Sequence, residues 1–229
     1  MTISTFAARP THRPARSSEA ATGLHRILLA SNQPRPALMR VPAAWQPDKP
    51  APLAIMLHGS GGNPEQALEL LQPYAEAAGA IVVAIASQDY TWDGVLGYIG
   101  PDYDMIDGTL QWVFDRYPID PGHLAIGGFS DGASYALAVV LANGNLFSHG
   151  IALSPGFVPQ AGQQGKPLVF ISHGTADQVL PITRCSRRIV PALQHRAYAV
   201  RYREFDGGHE IPSAIAFEAV QWWLAGPDH

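Results

Sequence analysis

The sequence predicts an α/β protein with a mostly parallel central sheet and helices on both faces. Three observations carry that expectation. From residue 53 to residue 224, short apolar runs alternate with segments of helical spacing, the pattern that crossover helices between parallel strands produce. The runs, such as Ala-Ile-Val-Val-Ala-Ile at 80–85, lack polar alternation, as strands buried on both sides require. Several of them also end directly in glycine-bearing turns, where a parallel sheet presents its ligand-binding edge.

Two short extended segments, 24–30 and 37–41, come first. Prolines at 34, 36, 42, 47, 50 and 52 then mark turns and a long loop. Residues 53–57 read as a buried strand entering His-Gly-Ser-Gly-Gly. Residues 64–78 read as one helix, with Pro64 at a favoured first position and Gly79 just past its end. Further strands are expected at 81–86, 123–128, 150–153, 168–172 and 199–205. Further helices are expected at 103–117, 131–142, 183–196 and 211–224, the last holding Trp222 and Trp223, at least one of them facing the sheet.

Composition narrows the class. Of 229 residues 47% are apolar and 15% charged, against an average near 25% charged, so a large packed interior is expected. Net charge is −4, and Lys49 and Lys166 are the two lysines; without a basic stripe, nucleic acid is not an expected partner. Cys185 is the single cysteine. It permits no intrachain disulfide, suits a reducing compartment, and reads as structural within a helical stretch. No apolar run approaches the ~20 residues of a membrane span. Residues 1–22 lack the apolar stretch of a signal peptide, and Pro10 and Pro14 interrupt any amphipathic transit helix. A flexible segment 1–22 ahead of a single domain, 23–229, in the cytoplasm is the expectation, as monomer or homodimer.

The chemistry is expected where strands end. After the strand at 123–128 the chain reads Gly-Phe-Ser-Asp-Gly over 128–132, a G-x-S-x-G pattern in a strand–turn–helix setting. A tight, strained turn of this kind lifts the hydroxyl of Ser130 above the sheet, and the flanking glycines let strand and helix backbones pass without a Cβ clash. The helix that follows aims its free N–H groups at a developing oxyanion. Such a serine needs a base, and the base an orienting acid. Asp177 falls in the loop after the strand at 168–172, and His209 in the loop after the strand ending at Phe205, in the order Ser, Asp, His. The bland alternatives are Asp177 as a cap of the helix near Pro181 and His209 as a surface residue, with Asp206 the reserve acid. The turn His58-Gly59-Ser60-Gly61-Gly62 offers the second oxyanion donor, so the backbone amides of Ser60 and Asp131 are paired in that role. His58 and His173 read as loop scaffolding. Neither a metal site nor a P-loop is indicated, and no cofactor is expected.

Taken in order, LHGSGGNP, GFSDGAS, ALSPGF, HGTADQVLP and GGHEI resemble the phospholipase/carboxylesterase family over roughly residues 53–224. The resemblance implies the α/β-hydrolase fold, Ser130 as nucleophile, Asp177 as acid, His209 as base, and Ser60 and Asp131 as oxyanion donors. Asp131 is a departure, because thioesterase members commonly carry Gln there; that points away from protein thioesters. The HGTAD segment also resembles polyhydroxyalkanoate depolymerases and feruloyl esterases.

The connection 154–167 is too short for a large cap domain. The loop 87–101 is expected to wall the site, with Tyr90, Trp92 and Tyr98 as substrate-binding candidates and Phe157 as a fourth. The expected function is a serine carboxylesterase acting on small-molecule esters of short to medium acyl chains through an acyl-enzyme. The alternatives are a thioesterase or lysophospholipase, a feruloyl or polyhydroxyalkanoate-type esterase, and, from another class, a non-catalytic binding module.

Overall fold

A computed structural model describes residues 5–10, 20–29, 35–98 and 100–225. Its eight strands are β1 (Gly23–Ile27), β2 (Ala37–Val41), β3 (Ala51–Leu57), β4 (Ile81–Ile85), β5 (Ile119–Phe129), β6 (His149–Leu153), β7 (Leu168–Gly174) and β8 (Val200–Phe205). They form one sheet in the order β1-β2-β4-β3-β5-β6-β7-β8. β1–β2 and β2–β4 pair antiparallel and every other neighbour pairs parallel. The chain leaves β3 for β4 on one side and later returns to place β5 on the other. The carboxyl ends of β3 and β5 therefore flank the point where strand order reverses, which is where open α/β sheets bind ligands.

Period-two alternation along the strands sends side chains to two cores. Leu53, Ile55 and Leu57 of β3 pack with α3 (Pro101–Phe114), α4 (Asp131–Ala142) and α5 (Ser186–His195). Ala54 and Met56 pack on the opposite face with α1 (Pro64–Glu69), α2 (Gln72–Ala77) and α6 (Ser213–Ala225). Within α6 the fully buried tryptophan is Trp223, and Trp222 is only partly covered.

The single helix expected over 64–78 is two. Pro73 has no N–H and its ring collides with the carbonyl four residues back, so α1 stops and α2 restarts at Gln72 with Pro73 in its first turn. β5 begins four residues before its expected start, because Ala51 pairs with Ile119 across a register shift. In the segment expected to be flexible, residues 5–10 are packed. Phe6 is buried against Tyr103 and Phe147, ring centroids 4.4 and 6.2 Å away, and its N–H donates to the buried Asn143 at 2.6 Å. A buried phenylalanine contributes ~1.5–3 kcal/mol, and Ala8, also buried, adds to it while the Ala7 and Ala8 amides donate to Asp107. Residues 1–4 and 11–19 lie outside the described residues. No helix among the described residues is long and apolar enough to cross a membrane.

Backbone crowding is greatest where β3, β5 and α4 meet. A Cβ on Gly132 would lie 2.4 Å from the carbonyl oxygens of both Leu57 and His58. One on Gly128 would lie 2.6 Å from the Leu57 oxygen and from the Gly132 backbone. Neither neighbour is a flexible side chain that could swing away. Gly132→Ala is therefore expected to destabilise by at least ~2 kcal/mol through overpacking, whereas Gly208→Ala, where an added Cβ meets nothing within 4 Å, should stay within ~0.5 kcal/mol. Urea unfolding of the two variants checks the contrast; equal midpoints would show that the crossing is not tight.

Candidate active site

Ser130 caps α4 with φ 56° and ψ −120°, a left-handed region that non-glycine residues occupy at a cost. Three bonds hold it there. Its N–H donates to Leu153 O at 3.0 Å, and its own carbonyl accepts from the Ser134 N–H and hydroxyl at 3.0 and 3.1 Å. The strain aims Oγ upward, where His209 Nε2 lies 2.9 Å away. His209 Nδ1 lies 2.6 Å from Asp177 Oδ2. Because a carboxylate only accepts, Nδ1 carries the proton and Nε2 is left to accept from the serine hydroxyl. The Phe129 ring, 4.7 Å from the imidazole, backs it from one side.

The Asp177 side chain has no solvent exposure. Burial alone would raise its pKa, but hydrogen bonds from His209, Leu180 and Val179 outweigh that effect and hold the carboxyl below its ordinary value. The two amides reach Oδ1 at 2.9 and 2.8 Å, so Oδ2 is left for the imidazole. His173 approaches the same oxygen at 3.2 Å, yet it is tied elsewhere. Its Nε2 lies 2.8 Å from Leu180 O, which can only accept, and its Nδ1 lies 2.7 Å from the hydroxyl of Ser186 at the start of α5. Burial also lowers the His173 pKa, in keeping with a neutral ring that fixes the Asp177 loop against α5. The reserve acid, Asp206, is exposed, and Asp177 is the carboxylate beside the ring.

The turn after β3 supplies the facing wall. Its Gly61 and Gly62 amides donate to Tyr90 O at 2.7 Å and Gly59 O at 3.0 Å. The Ser60 amide has no acceptor among the described residues, and neither has that of Asp131, the first residue of α4. This pair is the one that the sequence nominates as oxyanion donors. His58 braces the turn from below: its Nδ1 lies 2.7 Å from Gly59 O, and its Nε2 accepts from Ser87 N–H at 3.0 Å. Burial lowers its pKa, and the positive charge of Arg35 adds to the effect, partly opposed by the Gly59 bond.

The loop expected to wall the site braces it instead. Trp92 is completely buried: Nε1 donates to His58 O at 2.9 Å, and the ring stacks on Tyr135 at 5.7 Å. As a substrate-binding candidate it is therefore corrected to a support of the glycine turn, since an indole of its size loses most by standing in water. Thr91 donates its hydroxyl to Asp131 Oδ2 at 2.8 Å, and the loop is tied at its base by Asp93 and Asp102. Asp102 accepts from Gln88 N at 2.7 Å and Asp93 N at 2.9 Å, and Asp93 from Gly100 N at 2.8 Å and Asp102 N at 3.0 Å. Tyr90 is 70% exposed and lies over Gly61, so it stands at the rim. Tyr98 packs beside Gly100, and Phe157 lines a separate cleft beside α5; neither borders the cleft that opens next to Ser60.

That cleft has a volume of about 520 Å³. One end is formed by Gly59, Ser60 and Phe129, and its walls by Leu70, Pro73 and Tyr74 of the α1–α2 turn with Ile211 and Ala216 at the start of α6. The sequence pattern did not mark these wall residues. Only Pro73, which breaks the helix between α1 and α2, was a usable signal. Among the described residues no group of three or more His, Cys, Asp or Glu is placed to hold a metal ion.

No family model matches the chain. Feruloyl esterase C of Emericella nidulans is 29% identical to it over 156 residues, 65% of this chain and 57% of the relative, so the chain spans less than two thirds of the length of that curated relative. Among solved structures, the Bacillus cereus carboxylesterase matches with a TM-score of 0.60 at 21% identity, covering 84% of this chain and 95% of its own. A ferulic acid esterase from Anaeromyces mucronatus, in complex with ferulic acid, matches with a TM-score of 0.66 at 15% identity, covering 97% and 98%. At such identities the likeness is one of fold. Together with the eight-stranded, mostly parallel sheet, it shows that this chain has the α/β-hydrolase fold.

Proposed function

We propose that the chain is a serine carboxylesterase that cleaves small-molecule esters through an acyl-enzyme on Ser130. The observation that carries the reading is the continuous relay from Ser130 Oγ through His209 to Asp177, with links of 2.9 and 2.6 Å, beside two backbone amides without acceptors among the described residues. His209 takes the hydroxyl proton as Ser130 Oγ attacks the ester carbonyl, and Asp177 stabilises the resulting imidazolium. The Ser60 and Asp131 amides hold the oxyanion, a contribution of ~2.7–4 kcal/mol per donor in comparable sites. The imidazolium returns its proton to the leaving alkoxide, and water then repeats the sequence on the acyl-enzyme. The motif order resembles the phospholipase/carboxylesterase family and the curated relative is a feruloyl esterase; cleavage of a carboxylic ester is common to both. A feruloyl-type substrate is the second reading, supported by that relative.

The cleft beside Ser60 takes the apolar group of the substrate. Each methylene it buries contributes ~0.8 kcal/mol, about fourfold in kcat/KM, and the gain stops when the cleft is full. Rates on p-nitrophenyl esters should therefore climb from acetate, peak between butyrate and octanoate, and fall by palmitate. Leu70→Trp, which narrows the cleft, should move the peak to a shorter chain. An optimum at palmitate in the wild type would contradict the assignment.

Ser130→Ala should keep its fold, lose covalent labelling by a fluorophosphonate and lose kcat by roughly 10⁴-fold or more. Retention of a tenth of the wild-type turnover in that variant would remove Ser130 as the nucleophile and leave the binding-module reading standing.

A further inference from the structure

A second cleft, of about 450 Å³, lies between α5 and the connection that follows β6, and no residue of the Ser130–His209–Asp177 relay borders it. That is the size of a small-molecule pocket. Its apolar surface comes from Leu141 of α4, Ile189 and Leu193 of α5, and Phe157 and Val158 opposite them. Phe157 is 44% exposed, an aromatic ring left in water on the cleft wall. The only charged residues in the lining are Arg184, Arg188 and Arg196.

The arginines set the charge at the cleft's edge. Four arginines elsewhere pair with carboxylates, Arg40 with Glu76, Arg187 with Glu204, and Arg201 and Arg203 with Glu218, while Arg9 bonds to the backbone carbonyls of Phe6 and Ala8. Arg187, one residue before Arg188, points away from the cleft and is held by both oxygens of Glu204 at 2.8 and 2.7 Å. The three guanidinium groups at the cleft have no carboxylate within ion-pair distance among the described residues. Arg188 lies in the first turn of α5, Arg184 two residues before the helix and Arg196 directly after it, and all three, exposed, gather at one cleft. They do so in a chain of net charge −4, so a basic composition does not account for them. An apolar floor edged by unpaired guanidinium groups matches a molecule that is apolar along its body and anionic at one end.

We infer that this cleft is a second binding site, distinct from the esterase site, for a small organic carboxylate whose apolar body rests on Leu141, Ile189 and Leu193 and whose carboxylate pairs with Arg184 and Arg188. Straight-chain and aryl carboxylates share this chemistry, and the choice between them is made by titrating both. The enzyme is titrated calorimetrically with octanoate and with 3-phenylpropanoate, and with octanamide as the uncharged counterpart. Each titration is repeated after Ser130 has been capped with a fluorophosphonate. One-to-one saturable binding of either acid, unchanged by the cap and absent for octanamide, is the expected result. Arg188→Glu should weaken that binding about tenfold or more, and Ala192→Trp, which fills the cleft from an exposed helix position, should abolish it. Arg187→Gln, on the same helix but outside the cleft, should leave it unchanged, and thermal unfolding of each variant verifies that it is folded. The inference is overturned if neither acid binds, if octanamide binds equally, if Arg188→Glu or Ala192→Trp has no effect, or if capping Ser130 removes the binding. The last result would put the anion at the esterase site. Failure of the fluorophosphonate to label Ser130 bears on the esterase reading alone, because Ala192→Trp locates the anion without it.

Discussion

The candidate site depends on one close crossing of backbone, where the end of β3, the end of β5 and the first turn of α4 meet without room for a side chain. The carbonyl oxygens of Leu57 and His58 occupy the space that a Cβ at position 132 would need. Because α4 packs this tightly against the end of β3, the chain must reverse from strand to helix within one residue. Ser130 takes the left-handed conformation that the reversal requires. The same crossing brings the 58–62 turn alongside Ser130, so close that a Cβ on Gly59 would lie 3.3 Å from the Ser130 Cβ. A looser crossing would relieve the serine and let the glycine turn move away from it.

Two buried aspartates show how the surroundings decide the charge near this point. Asp177 and Asp102 each accept two backbone N–H bonds, and burial opposes ionisation in both. Asp177 also receives the imidazole N–H of His209, and the sum holds its carboxyl below the ordinary value. Asp102 has no cationic partner among the described residues. Burial dominates, the nearby Asp93 and Asp89 add repulsion to it, and the carboxyl is pushed up to about 6. The first arrangement suits a group that must remain negative opposite an imidazolium. The second suits a structural tie that holds the 87–100 loop under the glycine turn.

That loop also shows why bracing residues are hard to recognise in advance. Trp92, Thr91 and Ser87 act through single bonds to His58 and Asp131, partners 29 to 40 positions away in the chain. An aromatic residue in a long loop looks the same in the sequence whether it lines a pocket or props up a turn. Here the bulk of the indole and its N–H settle the matter, since both are satisfied only in the interior between His58 and Tyr135.

What the sequence determined by itself was whatever rests on local pattern. Apolar runs without alternation specified a buried parallel sheet. The G-x-S-x-G turn singled out Ser130, and the order of polar residues after later strands singled out Asp177 and His209, because strand ends are the only places where a buried sheet exposes side chains together. Asp177 and Asp206 are both near His209 or a strand end, and only the folded chain chose between them, by burying one and leaving the other in water. The wall of the cleft beside Ser60 and the arginine-edged cleft beside α5 were likewise decided by tertiary structure. Each is assembled from elements far apart in the chain, α1, α2 and α6 in one case, α4, α5 and the 156–163 connection in the other. The concavity belongs to the gaps between those elements, and a gap between packed helices has no pattern in the sequence of either helix.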